Sequence, residues 1–359
     1  MSDRRSAIHL TRRLRAAPVR RQARAPTKRP VAAARSRRPD GRRRLLVSIF
    51  DVRILVTGGA GFIGSHVVDG FLGAGHEVAI VDNLSTGDTA NLNPKAKLYE
   101  SDIRDESLEQ VFSDFRPEVV DHHAAQANVP ASLQDPVYDA SVNVLGGLNL
   151  LKLAAQHGVK KFIYISSGGA MYGEPDPSIL PVPETAPVRP LSPYGASKQA
   201  LEAWLGVYQR TFGVDYTVLR YANIYGPRQG IREEGAVVAV FATRMAKDEP
   251  VTIDGTGQQT RDFVFVGDCV TANVAALDRG SGHAVNIGTG KETSIKEIFE
   301  LMAEVAGYSH QPSYGPARKG DVMRIVLNPG KAHEHLGWQA QKPLFEGLAE
   351  TYRFIRDGR

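Results

Sequence analysis

The stretch VRILVTGGAGFIGSHVVDGFLGAGHEVAIVDN, residues 52–83, constrains the fold more than any other part of the chain. Ile54–Val56 is a short β-branched and apolar run, as a buried strand requires. Glycines follow it. Ile63, Val67 and Phe71 then recur every four residues, the spacing of one helix face. Gly75 suits the end of that helix, and Val78–Val81 reads as a second buried strand. Gly58, Gly61 and Gly64 form GxxGxxG, and Gly59, Gly61 and Gly64 form GxGxxG. Either frame permits a tight turn, close backbone approach to a pyrophosphate and close helix packing. The helix N-terminus aims N–H groups at the phosphates. Asp82 follows Gly64 by eighteen residues, at the end of the second strand. It is placed to accept hydrogen bonds from the adenosine ribose hydroxyls, which favours NAD over NADP. A merely structural glycine turn is the alternative, and the position of the acid argues against it.

Further strand-and-loop units follow. Leu98–Ser101 leads into Asp102–Ile103, Val119–Val120 into DHHAAQA, and Phe162–Ile165 into SSGGAMYG. This alternation predicts an α/β fold with a doubly wound parallel sheet, with ligands at the carboxyl ends of the strands. His122 and His123 have no third ligand at metal-binding spacing, so they are expected in a buried loop beside the cofactor, and no metal is expected. Residues 52–222 are expected to form the NAD-binding Rossmann domain. Residues 223–359 read as a smaller mixed α/β lobe with segments that return to the first domain, ending in the amphipathic helix GLAETYRFIRDGR.

A second constellation begins at Ser192, in SPYGASKQALEAWLGVYQ. Tyr194 and Lys198 are four residues apart and share one helix face. An ammonium near a phenol favours phenolate and draws its pKa down from about 10. Such a tyrosine can act as acid or base on a sugar or alcohol hydroxyl. Leu201, Trp204, Leu205 and Tyr208 continue the apolar stripe, so this helix is expected to pack against the core.

The net charge of +5 hides an uneven distribution. Residues 1–44 hold fifteen arginines and Lys28 against Asp3 and Asp40, which is +14 and leaves −9 for the rest. Residues 1–51 have too few large apolar groups to offset their ordering entropy and are expected to be a disordered basic extension. A transit peptide, a nucleic-acid-binding arm, and a start codon set too far upstream of a protein beginning near Val47 or Val52 all fit it. The last is preferred. Nucleic-acid binding would belong to this tail alone. The single cysteine, Cys269, excludes an intrachain disulfide, and no apolar run approaches the roughly 20 residues of a membrane span. A reducing, cytoplasmic setting is expected.

Together, TGGAGFIG, VDNLSTG, Asp102–Ile103, HAAQA, the Asn143 region, YGASK, RYANIYGPRQ, RDFVFVGD and RKGD occur in an order that resembles the extended short-chain dehydrogenase/reductases. Within them the chain is similar to the UDP-glucose 4-epimerase-like nucleotide-sugar enzymes, over about residues 52–359. The resemblance implies that Gly58, Gly61, Phe62, Ile63 and Gly64 hold the NAD pyrophosphate. Asp82, Asn83, Leu84, Ser85, Thr86 and Gly87 would surround the ribose, and Asp102 and Ile103 the adenine. Ala124, Ala125, Gln126 and Asn143 would lie along the cofactor, with Lys198 bonding the nicotinamide ribose. Asn223, Arg261, Arg318 and Asp321 would bind UDP. A diphosphate calls for fork-like cationic donors, which suits the arginines. The implied reaction is C4 epimerisation of a UDP-hexose, UDP-glucose or UDP-galactose, through a transient 4-keto sugar, with Tyr194 as acid and base. A homodimer through a helix bundle is also implied.

The chain departs from its relatives at one point. Related 4,6-dehydratases carry an adjacent Asp-Glu pair where this chain has Gly168, Gly169 and Ala170, so dehydration is not expected. The family's catalytic Ser or Thr falls on Gly168. Ser166, Ser167 or a water is left to contact the sugar hydroxyl, and Ser167 is preferred. Ile325 stands where residue size limits the sugar's 2-substituent. A UDP-sugar decarboxylase, a glucuronate 4-epimerase, and a non-catalytic NAD-sensing or RNA-binding module are the alternatives. Retention of both Tyr194 and Lys198 argues against the module.

Overall fold

Strand β1 (Arg53–Thr57) sends alternate side chains to opposite faces, and both faces are buried. Ile54 and Val56 join one core, while Leu55 joins another. Such a strand must lie inside a sheet covered on both sides. The computed structural model describes residues 52–231, 236–317 and 322–358. The basic extension 1–51, Arg318 and Asp321 lie outside the described residues.

Helix α1 (Phe62–Gly73) follows, then β2 (Glu77–Asp82), β3 (Lys97–Glu100), α2 (Leu108–Phe115) and β4 (Val119–His122). Next come the short helices α3 (Val129–Gln134) and α4 (Pro136–Ala140), a π-helical turn at Ser141–Gly146, and α5 (Gly147–Gln156). Strand β5 (Lys161–Ser167) runs directly into α6 (Gly168–Met171). Helix α7 (Pro193–Phe212) and β6 (Asp215–Tyr221) complete this half. The remainder contains β7 (Asn223–Tyr225), α8 (Val237–Ala246), β8 (Thr252–Asp254), β9 (Thr260–Arg261), β10 (Phe263–Phe265) and α9 (Val266–Ala276). It ends with β11 (His283–Ile287), β12 (Thr293–Ser294), α10 (Ile295–Ala306), β13 (Ser313–Gly315), α11 (Gly330–Leu336) and α12 (Leu344–Arg356).

Seven strands form one sheet in the order β11-β6-β5-β4-β1-β2-β3. Every neighbouring pair is parallel; Ile54 faces Val78 on one side and Val119 on the other. The fold is therefore the doubly wound α/β sheet expected from the sequence. Chain direction across the sheet reverses between β1 and β4, and a ligand crevice opens over their carboxyl ends. Residues of α2, α5 and α7, among them Phe112, Leu150, Leu201 and Leu205, cover one face. Val67 and Phe71 of α1 and Cys269 of α9 cover the other. Removing a side chain such as Leu55, which is wholly buried, would cost about 2–5 kcal/mol.

The late chain adds three two-stranded pairs, β7 with β10, β9 with β12 and β8 with β13. Phe241, Phe299, Met302, Leu348 and Tyr352 of α8, α10 and α12 are buried there. The chain then crosses back, because β11 pairs with β6 in the large sheet. Among the described residues, no helix is long and apolar enough to cross a membrane.

Helix α7 is held at both ends. Ser192 caps its N-terminus by accepting from the Gly195 N–H at 3.2 Å, Pro193 opens its first turn, and Gly213 closes it with a left-handed φ of 75°. Leu201 and Leu205 are buried as expected, but Trp204 is 42% exposed. A 3.6-residue period identifies an apolar stripe without saying what covers it, and this stripe is wider than its contact with the core.

Candidate active site

The carboxyl ends of β1 and β4 nearly touch. The Ala124 N–H donates to the Thr57 carbonyl at 3.0 Å, and a Cβ on Gly58 would meet the Ala124 nitrogen at 2.6 Å. Gly58 has φ +73°, and a Cβ on Gly64 would lie 2.2 Å from the Gly58 oxygen. Both positions require glycine. The first turn of α1, which contains Phe62, Ile63 and Gly64, has neither a side-chain cap nor an acidic residue, so its N–H groups face the crevice unneutralised. Asp82 is buried and accepts from the Ala60 N–H and the Leu84 N–H, each at 2.9 Å. It thus ties the glycine turn to the 83–87 loop, and each oxygen keeps a further lone pair. Gly87 packs against Ala60 in the same way. Asn83 donates to Asp102 at 2.8 Å and accepts from the Ser85 hydroxyl at 2.7 Å. Thr86 is exposed in this loop. Arg104 grips Asp102 through both carboxylate oxygens at 2.8 Å and holds its pKa down to about 2. Ile103 is buried against Gly146. The residues expected around the adenosine therefore lie together.

Past β4, Gln126 is paired with Asn143. Its N–H donates to Asn143 Oδ1 and its carbonyl accepts from Asn143 Nδ2, both at 2.9 Å. Asn143 sits in the π-helical turn, a device often found at functional sites. His122 is the last residue of β4 and lies in the interior, bonded to Thr57 Oγ1 at 2.8 Å. Burial keeps it neutral, with Lys198 adding to the effect. Among the described residues, no group of three or more His, Cys, Asp or Glu side chains is placed to hold a metal ion.

Tyr194 and Lys198 share the first turns of α7, beside the carboxyl end of β5. Lys198 Nζ donates to the Ile165 carbonyl at 2.9 Å and stands 5.8 Å from the Tyr194 ring centre and 5.1 Å from that of Tyr164. Burial pulls the Lys198 pKa from 10.5 to about 8, although Asp139 and Glu202 pull it upward. Gly195 lets this turn approach α6, since a Cβ there would meet the Ala170 oxygen at 2.6 Å.

Strand β5 continues through both serines. Ser166 is 2% exposed and turns inward, where its hydroxyl meets Met171 Sδ at 3.1 Å. Ser167 is partly exposed and makes no capping bond to α6. A Cβ on Gly168 would lie 2.5 Å from Leu327 Cδ1, so this leucine fills the place of a side chain at 168. A Cβ on Gly169 would lie 3.6 Å from Asn223 Oδ1 and 4.0 Å from Ser167 Oγ, which puts Ser167 and Asn223 on one wall. Arg261 lies two residues before Phe263, the register partner of Asn223. Ile325 is 2% exposed and packs with Tyr172, Val182 and Leu327.

A sequence profile of the NAD dependent epimerase/dehydratase family matches residues 54–288. The chain belongs to that family. The UDP-glucose 4-epimerase of Mycolicibacterium smegmatis is 42% identical over 312 residues, spanning 85% of this chain and 99% of the relative. The structure of the Thermotoga maritima UDP-glucose 4-epimerase with UDP-glucose superimposes with a TM-score of 0.84 at 48% identity, covering 85% of this chain and 99% of that one. The Thermus thermophilus UDP-glucose 4-epimerase in complex with NAD gives 0.80 at 45% identity, with the same coverage. The protein is thus an enzyme of the epimerase type, an extended short-chain dehydrogenase/reductase with NAD as its cofactor. Its glycine turn, uncapped α1 N-terminus and Asp82 loop fit that cofactor.

Two parts of this epimerase escaped the sequence reading. Asp139, in α4, is wholly buried and accepts from Ser197 Oγ at 2.6 Å, Gln126 Nε2 at 2.9 Å and Asn143 Nδ2 at 3.1 Å. Arg220, in β6, forks onto Glu202 of α7 at 3.1 and 2.6 Å and donates to the Tyr172 hydroxyl at 2.8 Å. Tyr172 in turn donates to Asn286 Oδ1 at 2.9 Å. The second network fixes α7 to the segment that follows α6. Nothing in the local sequence around Asp139 or Arg220 signals these partners, which lie up to 58 residues away.

Proposed function

We propose that the protein epimerises C4 of a UDP-hexose, interconverting UDP-glucose and UDP-galactose, with Tyr194 as acid and base. The observation that carries this reading is the Tyr194–Lys198 pair beside the carboxyl end of β5, a strand of the same parallel sheet whose β1 leads into the glycine turn. The Thermotoga neighbour crystallised with UDP-glucose supports the substrate class.

NAD, when bound, supplies the acceptor and then the donor of the C4 hydride. Tyr194 takes the proton of the 4-hydroxyl and returns it. Lys198 stabilises the phenolate that accepts this proton and that is restored when the proton is returned, and its buried position strengthens that interaction by excluding water. Ser167 donates to the reacting sugar oxygen. Asn223, Arg261, Arg318 and Asp321 hold the UDP, leaving the hexose free to present either face. Residues 52–222 thereby serve NAD and residues 223–359 the nucleotide sugar. Gly168, Gly169 and Ala170 supply no carboxyl group at that wall, so elimination of water is not part of the proposed reaction.

We also propose a homodimer. Val137, Tyr138, Leu145, Trp204 and Val207 are exposed apolar residues on α4, the π turn and α7. A second copy presenting the same helices would cover them. Parallel assays with UDP-galactose, UDP-N-acetylgalactosamine and UDP-glucuronate test the substrate. Turnover of UDP-galactose well above the other two supports the proposal; preference for UDP-glucuronate overturns it.

A further inference from the structure

Asp139 is a buried carboxylate with no part in the steps above. Its three donors come from three places that the reaction must keep in register. Ser197 immediately precedes Lys198 on α7, Gln126 follows β4 at the cofactor crevice, and Asn143 belongs to the π turn. All three donors are neutral. Two bonds on Oδ1 and one on Oδ2 hold the carboxylate in a single orientation. The groups that face Lys198 are Asp139 from α4, Tyr164 from β5, the neutral His122 from β4, and Tyr194 and Glu202 from its own helix. Glu202 is already paired bidentately with Arg220, whereas Asp139 has no cationic partner of its own among the bonds it makes.

We propose that Asp139 is a positioning residue for the epimerase reaction, clamping the Ser197–Lys198 turn to the Gln126 loop and supplying the buried counter-charge for the Lys198 ammonium. The proposal rests on the reading of Tyr194 and Lys198 as the proton-transfer pair. Removing the charge while keeping the shape lets Lys198 lose its proton more easily. The phenolate then loses its partner at a lower pH. Loss of the clamp also lets the Lys198 turn drift from the cofactor loop, which slows the chemical step more than it weakens sugar binding.

The test uses the full chain with its bound NAD and the variants Asp139→Asn, Asp139→Glu and Ser197→Ala. Asp139→Asn is expected to lower kcat with UDP-galactose by about tenfold or more while KM changes less than about threefold. The alkaline limb of its pH profile moves down by about half a unit or more. The Lys198 amine, followed by NMR on lysine-labelled protein and assigned with Lys198→Met, titrates lower by a similar amount. Asp139→Glu restores the titration toward the wild-type midpoint. Ser197→Ala keeps the charge, so it lowers kcat and leaves the titration where it was. A folded Asp139→Asn protein with an unmoved Lys198 titration and pH limb overturns the proposal. Should Asp139→Asn not fold, wild-type kcat in Ser197→Ala overturns it. Failure of the wild-type enzyme to epimerise would sink the reaction assigned above, and the Lys198 titration would still decide the role of Asp139.

Discussion

Replacing Lys198 with methionine should stabilise the protein at neutral pH while removing its activity. Lys198 is 3% exposed, and burial takes its pKa from 10.5 to about 8. A depression of about 2.5 units, at about 1.4 kcal/mol each, means the native state disfavours the charged amine by about 3 kcal/mol. That figure already includes the opposing attraction of Asp139 and Glu202. Methionine has nearly the same length and carries no charge. It also leaves the Ile165 carbonyl without its donor, which costs about 1–2 kcal/mol. The net gain is about 1–2 kcal/mol at pH 7. Its pH dependence follows from linkage. Below pH 8 both folded and unfolded wild-type chains hold the proton, so the full burial cost is present. Between about 8 and 10.5 the unfolded chain binds more protons than the native one, and wild-type stability rises with pH. The advantage of Lys198→Met therefore shrinks through that window and reverses above it. Urea unfolding of both proteins at pH 7 and pH 10, matched for bound NAD, measures this. The reasoning is refuted if the variant is less stable at pH 7 by more than about 1 kcal/mol, or if the difference is the same at both pH values.

Turnover itself should decline above pH 8, as Lys198 loses the proton that supports the Tyr194 phenolate; a kcat profile flat to pH 9.5, a bound of about 1.5 units beyond that midpoint, would contradict this. Gly168→Ser should destabilise the protein by about 1–3 kcal/mol, because its Cβ would meet Leu327 at 2.5 Å. In the double variant with Leu327→Ala the two losses should sum to less than their separate values by about 1 kcal/mol or more, measured by a double-mutant cycle in urea. Gly64→Ala forces its Cβ to within 2.2 Å of the Gly58 oxygen, so the purified variant should lack bound NAD by its absorbance ratio, where the parent retains it.

Much of this architecture was legible because its signals are local. The glycines at 58, 61 and 64 must fall between a strand and a helix to work at all, and Asp82 closes the turn from only 22 residues away. The same holds for Tyr194 and Lys198, one helical turn apart. The end of β5 was harder. The sequence breaks its apolar run at Ser166, but the ladder continues to Ser167, so strand alternation still operates there and turns Ser166 inward. Leu327 opposite Gly168 was invisible, because two segments far apart in the chain meet there through tertiary packing. Trp204 followed the helical period faithfully yet faces outward, since periodicity reports a stripe and not its cover. Asp139 reads locally as an ordinary polar helix residue. Only the fold reveals that its neighbours come from residues 126, 143 and 197.

The central claim is that Tyr194 moves the proton in an NAD-dependent C4 epimerisation of a UDP-hexose. Steady-state conversion of UDP-galactose by wild type and Tyr194→Phe, with NAD content measured on the same samples, tests it most directly. The account predicts that wild type converts UDP-galactose to UDP-glucose without added NADH. It predicts that Tyr194→Phe keeps its NAD and loses about 10²–10⁴-fold in kcat. A Tyr194→Phe enzyme that turns over within about threefold of wild type, or a wild-type protein that holds NAD and leaves UDP-galactose unchanged, contradicts it.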